Sequence, residues 1–144
     1  MSSVKVRLKH FPTGGLTGFH KGLGAIGWKD SKLARKTPFG EWWDWQRAIM
    51  AHDHSKVTVI DGKYAVGGII LVPSIDAQVG PALVAFHQFL MHRYRGSPGV
   101  WRAAIKLAMQ AARDRGLKWL VWTHRDEDTG RIFYTYKEVQ KWAE

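Results

Sequence analysis

The stretch from Pro81 to Gly116 leaves this chain the fewest choices. Pro81 to Met91 (PALVAFHQFLM) is almost continuously apolar and rich in aromatic and branched residues, the pattern of a central strand covered on both faces. Arg95-Gly96-Ser97-Pro98-Gly99 then supplies a turn, with two glycines that allow close backbone approach and a proline whose φ suits a helix start. From Val100 onward, Trp101, Ala104, Ile105, Ala108 and Ala112 recur at helical spacing, while Arg102, Lys106, Gln110 and Arg113 gather opposite them. Gly116 is placed to stop that helix. A strand that passes through a glycine turn into a helix start offers free N–H groups at the positive end of the helix dipole, a setting for a pyrophosphate or another anion.

The segments on either side are punctuated by turns. Lys56 to Ile60, the Asp61-Gly62 turn and Lys63 to Val72 predict strand, hairpin, strand, and Lys118 to Thr123 a further strand. Val4 to Leu8 alternates like a short strand. Thr13 to Gly27 follows, with Gly14, Gly15, Gly18, Gly22, Gly24 and Gly27, and predicts a loop that is flexible unless something holds it. Gly22-x-Gly24-x-x-Gly27 has the spacing of a dinucleotide fingerprint but lacks the strand before it and the helix after it.

Thr37 as cap and Pro38 in the first turn predict a helix running to about His52. Trp42, Trp45 and Ile49 share one of its sides, and Trp43, Arg47 and Met50 another. The cluster fits core packing, and Trp42, Trp43 and Trp45 also suit a subunit contact, where tryptophan is enriched. His52-Asp53-His54 sets two imidazoles beside a carboxylate, but no second cluster completes a ligand set, so no metal site is expected. The polar run from His124 to Arg131 closes on Gly130 and predicts a hairpin into Ile132 to Tyr136, with Asp126, Glu127 and Asp128 as solvated turn acids.

A chain of 144 residues fits one domain of ordinary size. It has no cysteine, which excludes disulfides, thiolate metal sites and cysteine nucleophiles. No run reaches the length of a membrane span, and MSSVKVRLKH lacks the apolar core of a signal peptide, so secretion by that route is not expected. The net charge of +10 is unevenly spread. Lys5, Arg7, Lys9, Lys21, Lys29, Lys32, Arg35 and Lys36 stand near the start against Asp30 alone. This divides the chain into a basic, glycine-rich arm over residues 1–40 and a folded domain over 41–144. Those cations are the candidate contacts to an acidic partner, whether nucleic acid, an acidic protein surface or a polyanionic substrate.

Arg93-Tyr94-Arg95-Gly96-Ser97-Pro98-Gly99, the helix ending at Gly116 and the strand Lys118 to Thr123 resemble the core of the Gcn5-related N-acetyltransferase superfamily. The hairpin of residues 56–72 falls where that family has its second and third strands, and the resemblance covers roughly residues 40–125. It implies an α+β fold whose mixed, mostly antiparallel central sheet is flanked by helices. It also implies a turn after the fourth strand whose amides wrap the pyrophosphate of acetyl-coenzyme A, with pantetheine beside Ala85 to Phe89. On that basis Arg93, Arg95, Gly96, Ser97, Gly99 and Val100 are the candidate cofactor-binding residues. Tyr134 matches the general-acid tyrosine that follows the family's fifth strand, and His87, an imidazole on the central strand, is the candidate base.

Two departures from the family pattern weigh against catalysis. Aligning Gly99 with the second motif glycine leaves Ser97-Pro98 in a one-residue gap and puts Trp101 at the position of the last small residue, whereas the other alignment puts Pro98 in the glycine's place and removes an N–H. The Gly-Phe that follows the family's tyrosine is also missing, and the family has a helix where Gly130 predicts a hairpin. Val57 to Leu71, with Val66-Gly67-Gly68 at its centre, and Trp119 to Trp122 look like the divergent acetyltransferase-like virion proteins of short-tailed bacteriophages. The expectation is a virion structural or assembly component joined to other protein subunits, without catalysis or cofactor, in a virion or host cytoplasm. An acetyl-coenzyme A-dependent N-acetyltransferase is the alternative, and a nucleic-acid-binding accessory role a third.

Overall fold

The computed structural model describes residues 4–12 and 21–139. Strand β1 (Val4–Phe11) is followed by helices α1 (Lys21–Asp30) and α2 (Phe39–Met50), then by β2 (His54–Asp61), β3 (Tyr64–Asp76) and β4 (Gly80–Leu90). Helix α3 (Pro98–Asp114) crosses to β5 (Trp119–Asp126), which turns back into β6 (Arg131–Glu138). The six strands lie side by side in chain order. All neighbours are antiparallel except β4 and β5, which the α3 crossover makes parallel. This is the mixed, mostly antiparallel sheet expected from the sequence.

Both faces of the sheet are covered because its central strands are apolar on both sides. Ala104, Ala108, Ala111 and Ala112 of α3 are fully buried against Val57, Ile69, Leu71, Leu83 and Leu120. Their small side chains let the helix approach the sheet, and each large aliphatic residue so covered contributes about 1.5–3 kcal/mol. On the other face Trp42, Trp43 and Met50 of α2 pack on Ile70 and Val72. Lys56 of β2 pairs with Ile70 and is buried on that same face, where loss of solvation pushes its ammonium down to about 8.

Three expectations change. Residues 4–11 do not stand apart as an arm, because β1 pairs along its whole length with β2, Val4 opposite Asp61 and Phe11 opposite His54. Within the glycine-rich stretch, residues 21–30 are a helix, while Thr13 to His20 lie outside the described residues. Its glycines serve close packing: a Cβ on Gly24 would collide with the Trp43 ring, and one on Gly27 would sit 3.5 Å from Phe89. Trp28 of α1 donates its indole N–H to Ala34 O and Thr37 O, both at 3.0 Å. Tertiary contact thus overrides a poor intrinsic helix propensity. Finally, α2 begins at Phe39 after Pro38, and no side chain caps it, Thr37 included. The hairpin at Gly130 forms as expected, with φ +74 at that glycine, in place of the helix the family pattern would put there.

One polar knot ties β1, β2 and the end of α3 together. Arg115 donates to both Asp53 carboxylate oxygens, at 2.8 and 2.9 Å, and to the buried Ser55 hydroxyl at 2.8 Å. His10 bridges Ser55 and Asp114 at 2.7 and 2.9 Å. The Arg115 guanidinium holds the Asp53 carboxyl below its usual range. Arg115→Met takes one of two partners from the buried Ser55 hydroxyl and leaves the Asp53 carboxylate without its guanidinium, so it is expected to cost about 2 kcal/mol in urea unfolding; an unchanged midpoint would show that the Arg115 bonds contribute nothing.

Candidate cofactor cleft

The site begins where two strands part. Parallel pairing between β4 and β5 is confined to Leu83–Ala85 against Leu120–Trp122. At the same level β4 carries a bulge, for Ile70 pairs with His87 and Leu71 with Ala85, leaving Phe86 as the extra residue. A bulge bends its strand and strengthens its twist, so the ends of β4 and β5 diverge and enclose a cleft of about 640 Å³. Phe86 to Leu90 form one bank and Thr123 to Arg125 the other. The end of α1 with Ser31 and Lys32, the turn residues Glu127 and Asp128, and Arg95 with Trp101 complete the walls.

Two side chains lace the apex of the opening. Thr123 Oγ1 donates to Ala85 O, and Gln88 Nε2 donates to Thr123 O, each at 2.9 Å. They use backbone carbonyls on both banks, one of them within the β4 segment where the sequence resemblance places pantetheine. The Gln88 Oε1 acceptor is buried without a hydrogen-bond partner.

The cleft leads to the start of α3. Ser97, extended at the cap position, makes no capping bond through its hydroxyl, and its N–H donates to Tyr94 O. Pro98 has no N–H, so Gly99 and Val100, the second and third helical residues, carry the N–H groups without an intrahelical acceptor. A Cβ at Gly96 or Gly99 would meet nothing within 4 Å, so the space beside these amides is open. The Val100 side chain packs with Val59 and Leu90. The Trp101 indole is part of the cleft wall and rests edge-on against Trp122, with centroids 5.6 Å apart and planes at 86°.

The candidate residues therefore separate. Arg95 lines the cleft, and His87 faces it from β4 beside Trp42, 6.2 Å between ring centroids. Burial, helped by the charge of Arg125, pushes the His87 imidazole down to about 4. Arg93 instead lies over the Tyr94 ring, and the Tyr94 hydroxyl donates to Asp61 at 2.5 Å. Tyr134 is exposed on β6 opposite Thr123 and does not line the cleft. No helix start presents it, because the chain after β5 is a hairpin.

The expected partner contacts also disperse. Lys5, Arg7 and Lys9 are exposed on β1, Lys21 and Lys29 on α1, and Arg35 and Lys36 on the short turn after it, while Lys32 is paired with Asp128 at 2.7 Å. Trp42 and Trp43 belong to the core, as the packing reading of the cluster has it and not the contact reading, and Trp45 alone of the three is exposed. Of the His52-Asp53-His54 cluster, Asp53 pairs with Arg115 and His54 stacks on Phe11.

Sequence reasoning missed Glu127. Instead of a solvated turn acid, it accepts from Ser31 Oγ at 2.6 Å and from the Lys32 N–H at 2.5 Å, fastening the segment after α1 to the far bank of the cleft. No local signal marks it, since its partners lie 95 and 96 positions away.

No protein-family model matches the chain, and no curated protein matches it in sequence. Solved structures match it in shape. The ribosomal-protein-alanine N-acetyltransferase of Brucella melitensis biovar Abortus 2308 is 17% identical with a TM-score of 0.56, covering 83% of this chain and 79% of that one. AAC(6')-Iy, in complex with the bisubstrate analogue CoA-S-monomethyl-acetylneamine, is 14% identical with a TM-score of 0.60, covering 87% and 83%. An acetyltransferase from Streptococcus agalactiae 2603 is 17% identical with a TM-score of 0.54, covering 85% and 75%. At such identities the likeness concerns the fold alone, and the fold is that of the Gcn5-related N-acetyltransferases.

Proposed function

We propose that the cleft binds acetyl-coenzyme A, or a close acyl analogue, and that the protein transfers the acyl group to an amine. The observation that carries this reading is the parting of β4 and β5 at the Phe86 bulge, which opens a cleft of about 640 Å³ leading to the start of α3. The residues present fit the cofactor: the open space at Gly96 and Gly99 admits a diphosphate to the Gly99 and Val100 amides, and Arg95 supplies a cation on the cleft wall. The complex of AAC(6')-Iy with a coenzyme A analogue supports the same choice.

Coenzyme A would supply an acyl group already activated as a thioester, so the protein's part is to bind, orient and exclude water. The β4 and β5 banks fix the direction of an extended chain, and Trp101 and Phe86 give the cleft its apolar wall. His87, neutral near pH 7 and with a value of about 4, is a poor acceptor for an ammonium proton, so it serves the wall and not as a base. Positioning of an amine that arrives unprotonated then carries the reaction.

Calorimetry tests this directly. The protein is expected to bind acetyl-coenzyme A at micromolar concentration, and Trp101→Gly is not expected to improve it. Gly99→Val, whose side chain enters open space, should weaken binding at least tenfold while leaving the fold intact. No binding at millimolar ligand would end the proposal.

An assembly role, as in a phage virion, is the second reading and rests on a different observation. Trp45 on α2 and Ile132, Phe133, Tyr134 and Tyr136 on the edge strand β6 are exposed large apolar residues of the kind that subunit contacts cover. Absence of coenzyme A binding together with a particle or ring in the native source would favour it.

A further inference from the structure

The Arg95 guanidinium is already occupied by a carboxylate of the chain itself. Its Nε donates to Leu90 O at 2.6 Å, which fixes the arm, and its Nη2 donates to Asp30 at 2.5 Å. The guanidinium lies 5.5 Å from the centroid of the Phe89 ring, so backbone, ring and carboxylate together hold it at the cleft wall. We propose that Asp30 determines which ligands the cleft accepts: it stands on Arg95 as an internal competitor that a diphosphate displaces and a singly charged anion does not. This rests on the reading that the cleft receives a diphosphate-bearing cofactor.

Displacement is energetically easy. The Arg95 and Asp30 side chains are 41% and 48% exposed, and ion pairs this open to water contribute little to stability. Asp30 is also the last residue of α1, a helix of ten residues that includes Gly22, Gly24 and Gly27. Glycine disfavours a helix relative to alanine, so the end of α1 is held chiefly by what it touches. Beyond Asp30 the chain stays fastened by Glu127 to Ser31 and Lys32. The helix end can thus withdraw from Arg95 while its far anchor holds.

Discrimination follows from charge. A monoanion at Arg95 exchanges one carboxylate-like contact for another and gains nothing. A diphosphate brings several charged oxygens, pairs with the guanidinium through two parallel bonds and reaches the Gly99 and Val100 amides as well. The same carboxylate repels a ligand that fails to dislodge it.

The test is calorimetric titration of the full chain, as wild type, Asp30→Asn and Gly27→Ala, with coenzyme A and with inorganic pyrophosphate, and with acetate as the singly charged control. Asp30→Asn is expected to tighten both ligands three- to tenfold and to narrow the preference for pyrophosphate over acetate. Gly27→Ala adds a methyl group at ordinary contact distance, 3.5 Å from Phe89, stiffens the helix, and is expected to weaken both ligands about threefold. If all three proteins bind coenzyme A equally, or Asp30→Asn binds it less well, the gate is overturned and the cofactor reading stands. If coenzyme A never binds but Asp30→Asn still tightens pyrophosphate, the cofactor reading falls and the gate survives. If neither ligand binds any of the three, both fall.

Discussion

Gly67→Ala is expected to cost about 3 kcal/mol of stability, read as a lower urea midpoint at an unchanged slope. A Cβ at Gly67 would stand 2.7 Å from Phe89 O, 2.7 Å from Leu90 Cδ1 and 3.0 Å from Leu90 Cα. A backbone oxygen cannot rotate aside, so β3 and β4 must separate. The neighbouring Gly68→Ala meets Val57 O at 3.0 Å, a milder contact that should cost about 1 kcal/mol, and Gly40→Ala in α2, with nothing within 4 Å, should be neutral or slightly stabilising. The damage should extend to the cleft. Leu90 O is the acceptor that holds the Arg95 arm, so shifting the end of β4 loosens the cation beside the helix start. Coenzyme A affinity is therefore expected to fall in Gly67→Ala even where the protein is still folded. A variant as stable as wild type would show that β3 and β4 are not packed this closely.

Acidification should destabilise the protein well before its carboxylates titrate. Burial holds the His87 imidazole at about 4 in the folded chain, against 6.5 for the ordinary value reached on unfolding. Below pH 6.5 the unfolded chain takes up a proton that the folded chain refuses, so stability falls as pH drops toward 4 and levels off below it. A shift of this size corresponds to a loss of about 3 kcal/mol at most. Asp53 and Asp114, held below their ordinary 3.8 chiefly by hydrogen bonds from Arg115 and His10, stabilise the fold above that value, and their contribution is lost only at lower pH. The window from pH 6.5 to 4.5 thus separates the His87 contribution from that of these two carboxylates. His87→Leu should flatten the stability curve there, measured by urea unfolding at closely spaced pH values. Parallel curves for the two proteins would mean that the imidazole is solvated and free to ionise, and the argument against its serving as a base would go with it.

Much of the architecture was legible because it is written locally. The unbroken apolar run of β4, the alanine stripe of α3, and the turns at Gly62 and Gly130 each state a strand, a face or a reversal through neighbouring residues, and each stands where expected. The Ser97-Pro98-Gly99 helix start was equally readable, down to the amide that proline removes. Helix α1 was not. Its glycines oppose helix formation in isolation, and only the Trp43 ring seated on Gly24, with Phe89 beyond Gly27, makes it favourable.

The tryptophans of α2 show the same division. Their spacing announced an aromatic cluster, yet which of them lie inward depended on where Ile70 and Val72 meet the helix. From its sequence alone the chain determined its strands, its principal helix and the glycine turn between them, since periodicity and turn chemistry act over a few residues. The cleft, the Asp30 contact to Arg95 and the Glu127 clamp were decided by the tertiary structure, because they join residues 35 to 96 positions apart that meet only when the sheet assembles and β4 bends away from β5.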